Sequence, residues 1–187
     1  MIPFLKGERI YLREIRPSDV SETSNYYKWM NDPEVTRYFE YTGFFPMSVE
    51  KLLERVTNSI KDPDIVTLAI MLPTEGEEPV HIGTVRIGPI NWLHRFSEIM
   101  ITVDRMYWGK GYGTEAVKLM RDYAFNKLNL HKLTAHAYVA NKASIRVLEK
   151  AGFIIEGIQK NQFLLNGEYA DISLLGMINP NHATTKE

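Results

Sequence analysis

The sequence predicts an α+β domain, a mixed β-sheet flanked by helices. Three observations carry this. Short apolar runs bounded by Pro, Gly and Asn recur along the chain, as strands do. The stretch Thr114 to Leu128 places Ala116, Val117, Met120, Tyr123, Ala124 and Leu128 on one helical face. The resulting order, β-α-α-β-β-β-α-β-α-β-β, describes a mixed sheet with helices.

Taken in order, Glu8 to Glu14 alternates weakly through Ile10 and Leu12 and reads as a first strand. Pro17-Ser18-Asp19 can cap a helix that runs to about Met30. Asn31-Asp32-Pro33 ends it, because the residue before a proline avoids the α region. Glu34 to Phe39 is a short helix or turn, and Glu40 to Met47, rich in aromatics, Gly and Pro, an ordered loop. Ser48 opens a second helix to about Ile60. Ile65 to Leu72 and Val80 to Ile87 are strands joined by the Pro73-Thr74-Glu75-Gly76-Glu77-Glu78-Pro79 loop. Phe96 to Val103 is a strand, Leu130 to Val139 another, and Asn141 to Lys150 a helix stopped by Gly152. Strands over Gly157 to Leu165 and Tyr169 to Met177 flank Asn166-Gly167, a strong two-residue hairpin signal.

The chain has 187 residues, 44% of them hydrophobic, enough for one domain with a sizeable core. That domain is expected over 1–178, with a polar, frayed tail over 179–187. Basic and acidic residues balance, 22 against 23, so no global field would attract nucleic acid. There is no cysteine, which excludes disulfides and a thiolate zinc site. The histidines (His81, His94, His131, His136, His182) are scattered without metal spacing, so no metal is expected. The N-terminal apolar run is too short for a signal peptide, and no run suffices for a membrane span. A soluble cytoplasmic protein is the default expectation.

The most informative stretch joins the Phe96 to Val103 strand to the Thr114 helix through Trp108-Gly109-Lys110-Gly111-Tyr112-Gly113. Free N–H groups of such a loop, with the positive end of the helix dipole, make an anion site. The spacing G-x-G-x-G is neither the nucleoside-triphosphate loop nor the dinucleotide fingerprint. Asp122 and Glu149 fall inside helices and cannot serve as the acid that the dinucleotide fold needs.

With this loop, Asn141-Lys142-Ala143-Ser144 and the Gly152-Phe153 pair together, the chain resembles the GNAT superfamily of N-acetyltransferases. The family motif Q/R-x-x-G-x-G/A falls on Trp108 to Gly113, with Trp108 where Gln or Arg is usual. Trp29-Met30-Asn31-Asp32-Pro33-Glu34-Val35, together with Tyr107-Trp108-Gly109-Lys110-Gly111-Tyr112, is similar to the branch that includes the RimJ and RimL ribosomal-protein acetyltransferases, with amino-sugar and polyamine enzymes as neighbours. The resemblance implies acetyl-CoA as co-substrate and an amine acceptor. Its pyrophosphate would lie on the loop from Trp108 through Gly109, Lys110, Gly111, Tyr112, Gly113 and Thr114. Its pantetheine arm would pair with the backbone of Ile101, Thr102 and Val103, where this strand splays from the next, and Asn141 would help hold it. The N–H near Val103 would face the oxyanion. Lys110 can compensate for the missing Gln or Arg, or be a solvated loop charge.

Glu98 is the candidate base. It shares one strand face with Met100 and Thr102, opposite Ile99, Ile101 and Val103. The tyrosine that many relatives use as acid is absent, since Leu148 stands there, and Ser144 is the substitute, in a positioning role. Trp29, Tyr38, Phe39, Tyr41, Phe44, Trp92, His94 and Arg95 are candidates to line an acceptor cleft or to pack the first helices. The acceptor is a protein N-terminus or a small amine such as an amino sugar. The alternatives are a catalytically silent acyl-CoA-binding module and, more weakly, a nucleoside-triphosphate binder. Dimerisation is left open, although the family often pairs.

Overall fold

The computed structural model describes residues 3–39 and 45–182. One sheet of eight strands forms the middle layer, in the order β1-β2-β3-β4-β5-β6-β8-β7. The strands are β1 (Leu5–Lys6), β2 (Tyr11–Glu14), β3 (Val66–Leu72), β4 (Val80–Ile87), β5 (Phe96–Val103), β6 (Lys132–Tyr138), β7 (Ile154–Leu165) and β8 (Glu168–Ile178). The helices are α1 (Asn25–Met30), α2 (Pro33–Thr36), α3 (Val49–Lys61), α4 (Tyr112–Asn126) and α5 (Lys142–Lys150). The mixed sheet with helices on both faces is the architecture expected from the sequence.

Two apolar layers hold it together. Ile82, Val85, Ile87 and Ile99 point to one face and pack with Val117, Met120 and Ala124 of α4 and Leu148 of α5. On the other face Ile15, Tyr26, Trp29, Leu52 and Val56 join α1 and α3 to the sheet. The α4 stripe differs from the expected one in a single respect. Phe125 is buried, while Tyr123 and Leu128 lie at the margin.

Several boundaries differ from expectation for local reasons. The expected first helix is only Asn25–Met30, and Pro17–Asp19 is a 3-10 turn. Ser24 bonds the Ser21 carbonyl and accepts from Tyr27 N–H, so the helix starts at its cap instead of continuing from Pro17. Asn166 and Gly167 both take positive φ, 53° and 87°, which is the hairpin that their identity signals. The polar tail does not begin at Asn179. That residue is 1% exposed, and its Nδ2 donates to the Phe125 and Leu130 carbonyls at 3.3 and 2.9 Å. Polar composition hid a side chain that closes the end of α4 against β6. Of the Glu40 to Met47 loop, residues 40–44 lie outside the described residues, and with them Tyr41 and Phe44.

Candidate active site

β5 and β6 are parallel and paired only over Phe96, Ser97 and Glu98, against Lys132, Leu133 and Thr134. Beyond Glu98 they part. On its other edge β5 stays paired to β4 through Val103. Gly88 N–H donates to the Glu98 carbonyl and Asp104 N–H to that of Ile82, so even-numbered residues of β5 spend their backbone on β4. Ile99, Ile101 and Val103 therefore aim their N–H and C=O groups into the gap. Thr102, expected to pair with a pantetheine arm, directs its backbone to β4 and its side chain to the face shared with Glu98.

The glycine loop caps the open end of this gap. Gly109 and Gly111 have φ of 73° and 85°, the left-handed region that glycine enters without a Cβ penalty. The N–H groups of Gly109 to Thr114 meet no acceptor among the described residues, and that of Glu115 is the first to be used, by the Gly111 carbonyl. Open backbone donors at the start of a helix are the chemistry that can meet an anion. Helix α4 begins close over the strand, since a Cβ on Gly113 would stand 3.6 Å from Ile101 Cδ1 and from Val103 Cγ2.

The loop is braced by its own side chains and by Arg9. Trp108 turns its indole inward, and Nε1 donates to the Val103 carbonyl at 2.7 Å. It ties the loop to the strand end, so that N–H is spent within the protein. Lys110 Nζ donates to the Met106 carbonyl at 3.1 Å and sits 5.3 Å from the Tyr107 ring centroid. Arg9 Nη1 donates to the Lys110 carbonyl at 2.8 Å, and its Nε bonds Glu115 at 3.0 Å. Glu115 also accepts from the N–H groups of Arg9 and Ile10. Burial alone would raise the Glu115 carboxyl, but these bonds outweigh it and hold the group below its ordinary pKa. Sequence reasoning missed Arg9, because nothing local links it to a loop a hundred residues away.

On the far side of the gap, Asn141 caps α5 by accepting from Ser144 N–H at 3.2 Å. Ser144 is half-buried at the start of this helix. Leu148 is 3% exposed and fills the core, so the position holds no acid.

Where the strands part, Glu98 Oε1 pairs with His136 Nδ1. The imidazole stands on β6, two residues past the last paired position. Sequence reasoning counted His136 among scattered histidines. The signal was there: in β6, Thr134, His136 and Tyr138 alternate with Leu133, Ala135 and Ala137. The Tyr38 ring lies 5.6 Å from that of Tyr138. Trp29 is core, and Trp92 binds Asp64 Oδ1 at 2.7 Å by the start of β3. His94 is exposed in the turn before β5, and Arg95 takes φ 53° there. Phe39 packs beside the second core.

A cleft opens on the Glu98 face of the sheet, lined by Tyr26, Arg55, Ser59, Thr84, Arg86 and the Met100 to Thr102 stretch.

A splayed strand pair, an amide-lined loop at a helix start and an acid at the closed end of the gap define a transferase that uses an acyl-CoA. The chain matches the acetyltransferase (GNAT) domain model over residues 9–154 and belongs to that family. It is an acetyl-CoA-dependent N-acetyltransferase. It is 28% identical to the uncharacterized N-acetyltransferase p20 of Bacillus licheniformis, over 96% of this chain and 98% of that protein. It is 30% identical to the probable N-acetyltransferase YjcK of Bacillus subtilis, over 94% of this chain and 97% of that one. A solved spermidine N-acetyltransferase of Vibrio cholerae, in complex with CoA and spermine, superposes with a TM-score of 0.79 at 26% identity, covering 91% of this chain and 96% of that one.

Proposed function

We propose that the chain acetylates a primary amine of lowered pKa by direct attack on the acetyl-CoA thioester in the β5/β6 gap. A protein N-terminus of the kind used by the RimJ and RimL branch, or a small amine such as an amino sugar, fits this better than a polyamine. The observation that carries the reading is the Glu98–His136 pair at the point of strand divergence.

The pantetheine arm would bond the Ile101 backbone, with the pyrophosphate on the N–H groups of Gly109 to Thr114. The amine nitrogen attacks the thioester carbonyl carbon, and the oxyanion that forms is stabilised by the Val103 N–H. The Glu98–His136 pair takes the proton that the amine loses. The carbon–sulfur bond then breaks, and CoA leaves as a thiolate that takes up a proton, with Ser144 near the sulfur. A serine hydroxyl is a poor acid, so this role is one of position. Freeing a lysine-like amine of pKa ~10.4 at pH 7 costs about 4.6 kcal/mol, against about 1.4 kcal/mol for an amine of pKa ~8. Without the family's tyrosine acid the cheaper amine suits this site.

The test is thiol release from acetyl-CoA in a panel of amines. Turnover is expected to favour amines of pKa near 8 over lysine-like ones. Equal or better turnover of spermidine would overturn the preference. CoA is also expected to bind and ATP not to displace it.

A further inference from the structure

Two arginines stand in the acceptor cleft without a counter-ion. Arg86 lies on β4, opposite Met100 in the β5 register and opposite Thr67 on β3, so all three share the Glu98 face. Arg55 reaches the same cleft from α3. Neither side chain makes an ion pair or hydrogen bond among the described residues. Arg86 Nε is buried and has no acceptor among the described residues. A buried donor left unmet is unfavourable, and a ligand oxygen that meets it removes that cost. Burial, and then the repulsion of Arg55, hold the Arg86 pKa below its ordinary value. Glu98, Asp62 and Tyr26 act on Arg86 only at a distance, since none bonds it. The rest of the lining offers the hydroxyls of Tyr26, Ser59, Thr67, Thr84 and Thr102.

A guanidinium fork matches the oxygens of a carboxylate or phosphate, and two such cations repel a polycation. The open space is about 50 Å³, room for roughly three to five waters at about 10–15 Å³ each or for one small oxyanion in their place. We infer that the acceptor amine carries a carboxylate or phosphate group, which Arg86 and Arg55 bind in the cleft beside Met100 and Thr102 while the amine reaches the Glu98 side of the strand. This rests on the transferase reading above and narrows its acceptor to a small anionic amine. The arginines bind substrate and position it, and the chemistry stays with the Glu98–His136 pair.

The experiment measures kcat/KM for matched amines: glucosamine 6-phosphate against glucosamine, and an amino acid against its amide, with spermidine alongside. The two pairs separate phosphate from carboxylate recognition. Each is read as the ratio of anionic to neutral acceptor, and the change of that ratio in a variant cancels differences in amine pKa. In the native protein at least one ratio is expected to exceed 10, carried by KM. It is expected to fall about 10- to 100-fold in Arg86→Gln and to recover in part in Arg86→Lys. Arg55→Gln, on the exposed side of α3, serves if the Arg86 variants fold poorly, with a fall of about 3- to 10-fold. Lys118→Gln, on exposed α4, removes the same charge elsewhere and leaves the ratio unchanged. Turnover that favours the neutral partner of each pair, or ratios that Arg86→Gln and Arg55→Gln leave unmoved, would overturn the inference alone; turnover that favours spermidine would overturn it together with the low-pKa preference. Tight CoA binding with no thiol release for any amine would overturn the transferase reading and the inference with it.

Discussion

Glu98 and His136 meet across the point where β5 and β6 part, the carboxylate against Nδ1 of the imidazole. Neither strand alone supplies this pair. Glu98 is fixed by its register opposite Thr134, and His136 sits one pleat further along β6, on the same face. The expected outcome of Glu98→Gln is a fall in kcat of about 10²-fold or more, the scale of a positioned acid–base group, with the KM for acetyl-CoA within about 2-fold. His136→Asn should fall similarly, and the double variant little further, because the two act as one unit. Single-turnover rates at saturating acetyl-CoA check this. Additive losses would separate the two residues into independent roles.

Gly111 lies against Arg9, which ties the glycine loop to the β1–β2 connection through the Lys110 carbonyl. Gly111 has φ 85°, and a Cβ there would stand 3.1 Å from Arg9 Nη2. Gly111→Val therefore meets both backbone strain, about 1–2 kcal/mol for a non-glycine residue in this region, and a guanidinium in its way. The expected result is acetyl-CoA binding weakened at least 10-fold, measured calorimetrically with CoA. Unchanged affinity would show that the loop does not hold the pyrophosphate.

Arg9→Gln should weaken CoA binding by a smaller factor, about 3- to 10-fold, with Glu115→Gln no worse in combination. Arg9 does not carry the loop by charge alone. Its Nη1 fixes the Lys110 carbonyl and its Nε holds Glu115, so loss of either partner loosens the same brace. A double-mutant cycle on CoA affinity reads the coupling.

Trp108→Phe removes the bond from the indole N–H to the Val103 carbonyl while keeping an aromatic ring. Loss of one such bond costs about 1 kcal/mol, which lowers Tm by roughly 2–4 °C in a domain of this size. The KM for acetyl-CoA should rise, because loop and strand are no longer tied. A variant with unchanged Tm and KM would make this bond incidental.

The fold was legible wherever a local pattern decides the outcome. β5, the caps at Ser48 and Asn141 and the Asn166-Gly167 turn follow from residue type and spacing alone. The candidate site was legible only in its backbone half. The glycine loop is a contiguous stretch whose function lies in its N–H groups, so sequence order carries it whole. His136, Arg9, Arg55 and Arg86 come from four separate parts of the chain, and strand register and helix docking bring each to its place. Trp108 shows the converse. Its place in the motif suggests one polar partner fewer for the phosphates, but the indole reaches back to the Val103 carbonyl, which the linear order of the motif assigns to the co-substrate. Asn179 resembles the start of a tail because it is polar and late in the chain. Its burial depends on two carbonyls left open at the end of α4 and just after it.

His81 supplies the last prediction, one about stability. Its side chain packs against the Tyr26 and Trp29 rings, at 5.6 and 4.9 Å between centroids, and Nε2 lies 2.9 Å from the Gly83 carbonyl. A carbonyl only accepts, so Nε2 carries the proton. Burial, reinforced by Arg13 and opposed by Asp19 and the Gly83 carbonyl, pushes the His81 pKa down to about 4 from its usual 6.5. The neutral ring is thus favoured in the folded protein, and between pH 4 and 6.5 the unfolded chain binds the extra proton. Stability then rises with pH through this window and is lost as pH falls from 6.5 to 4, by roughly 3 kcal/mol. Asp19, held below its ordinary pKa once the bonds from Arg13 and Arg16 outweigh its burial, keeps its contribution across the window and loses it only at lower pH. Urea unfolding at pH 7 and pH 4.5 should therefore show a larger loss for the native chain than for His81→Gln, whose amide can still donate to Gly83 but takes up no proton. Equal losses for the two proteins would mean that another group governs acid unfolding.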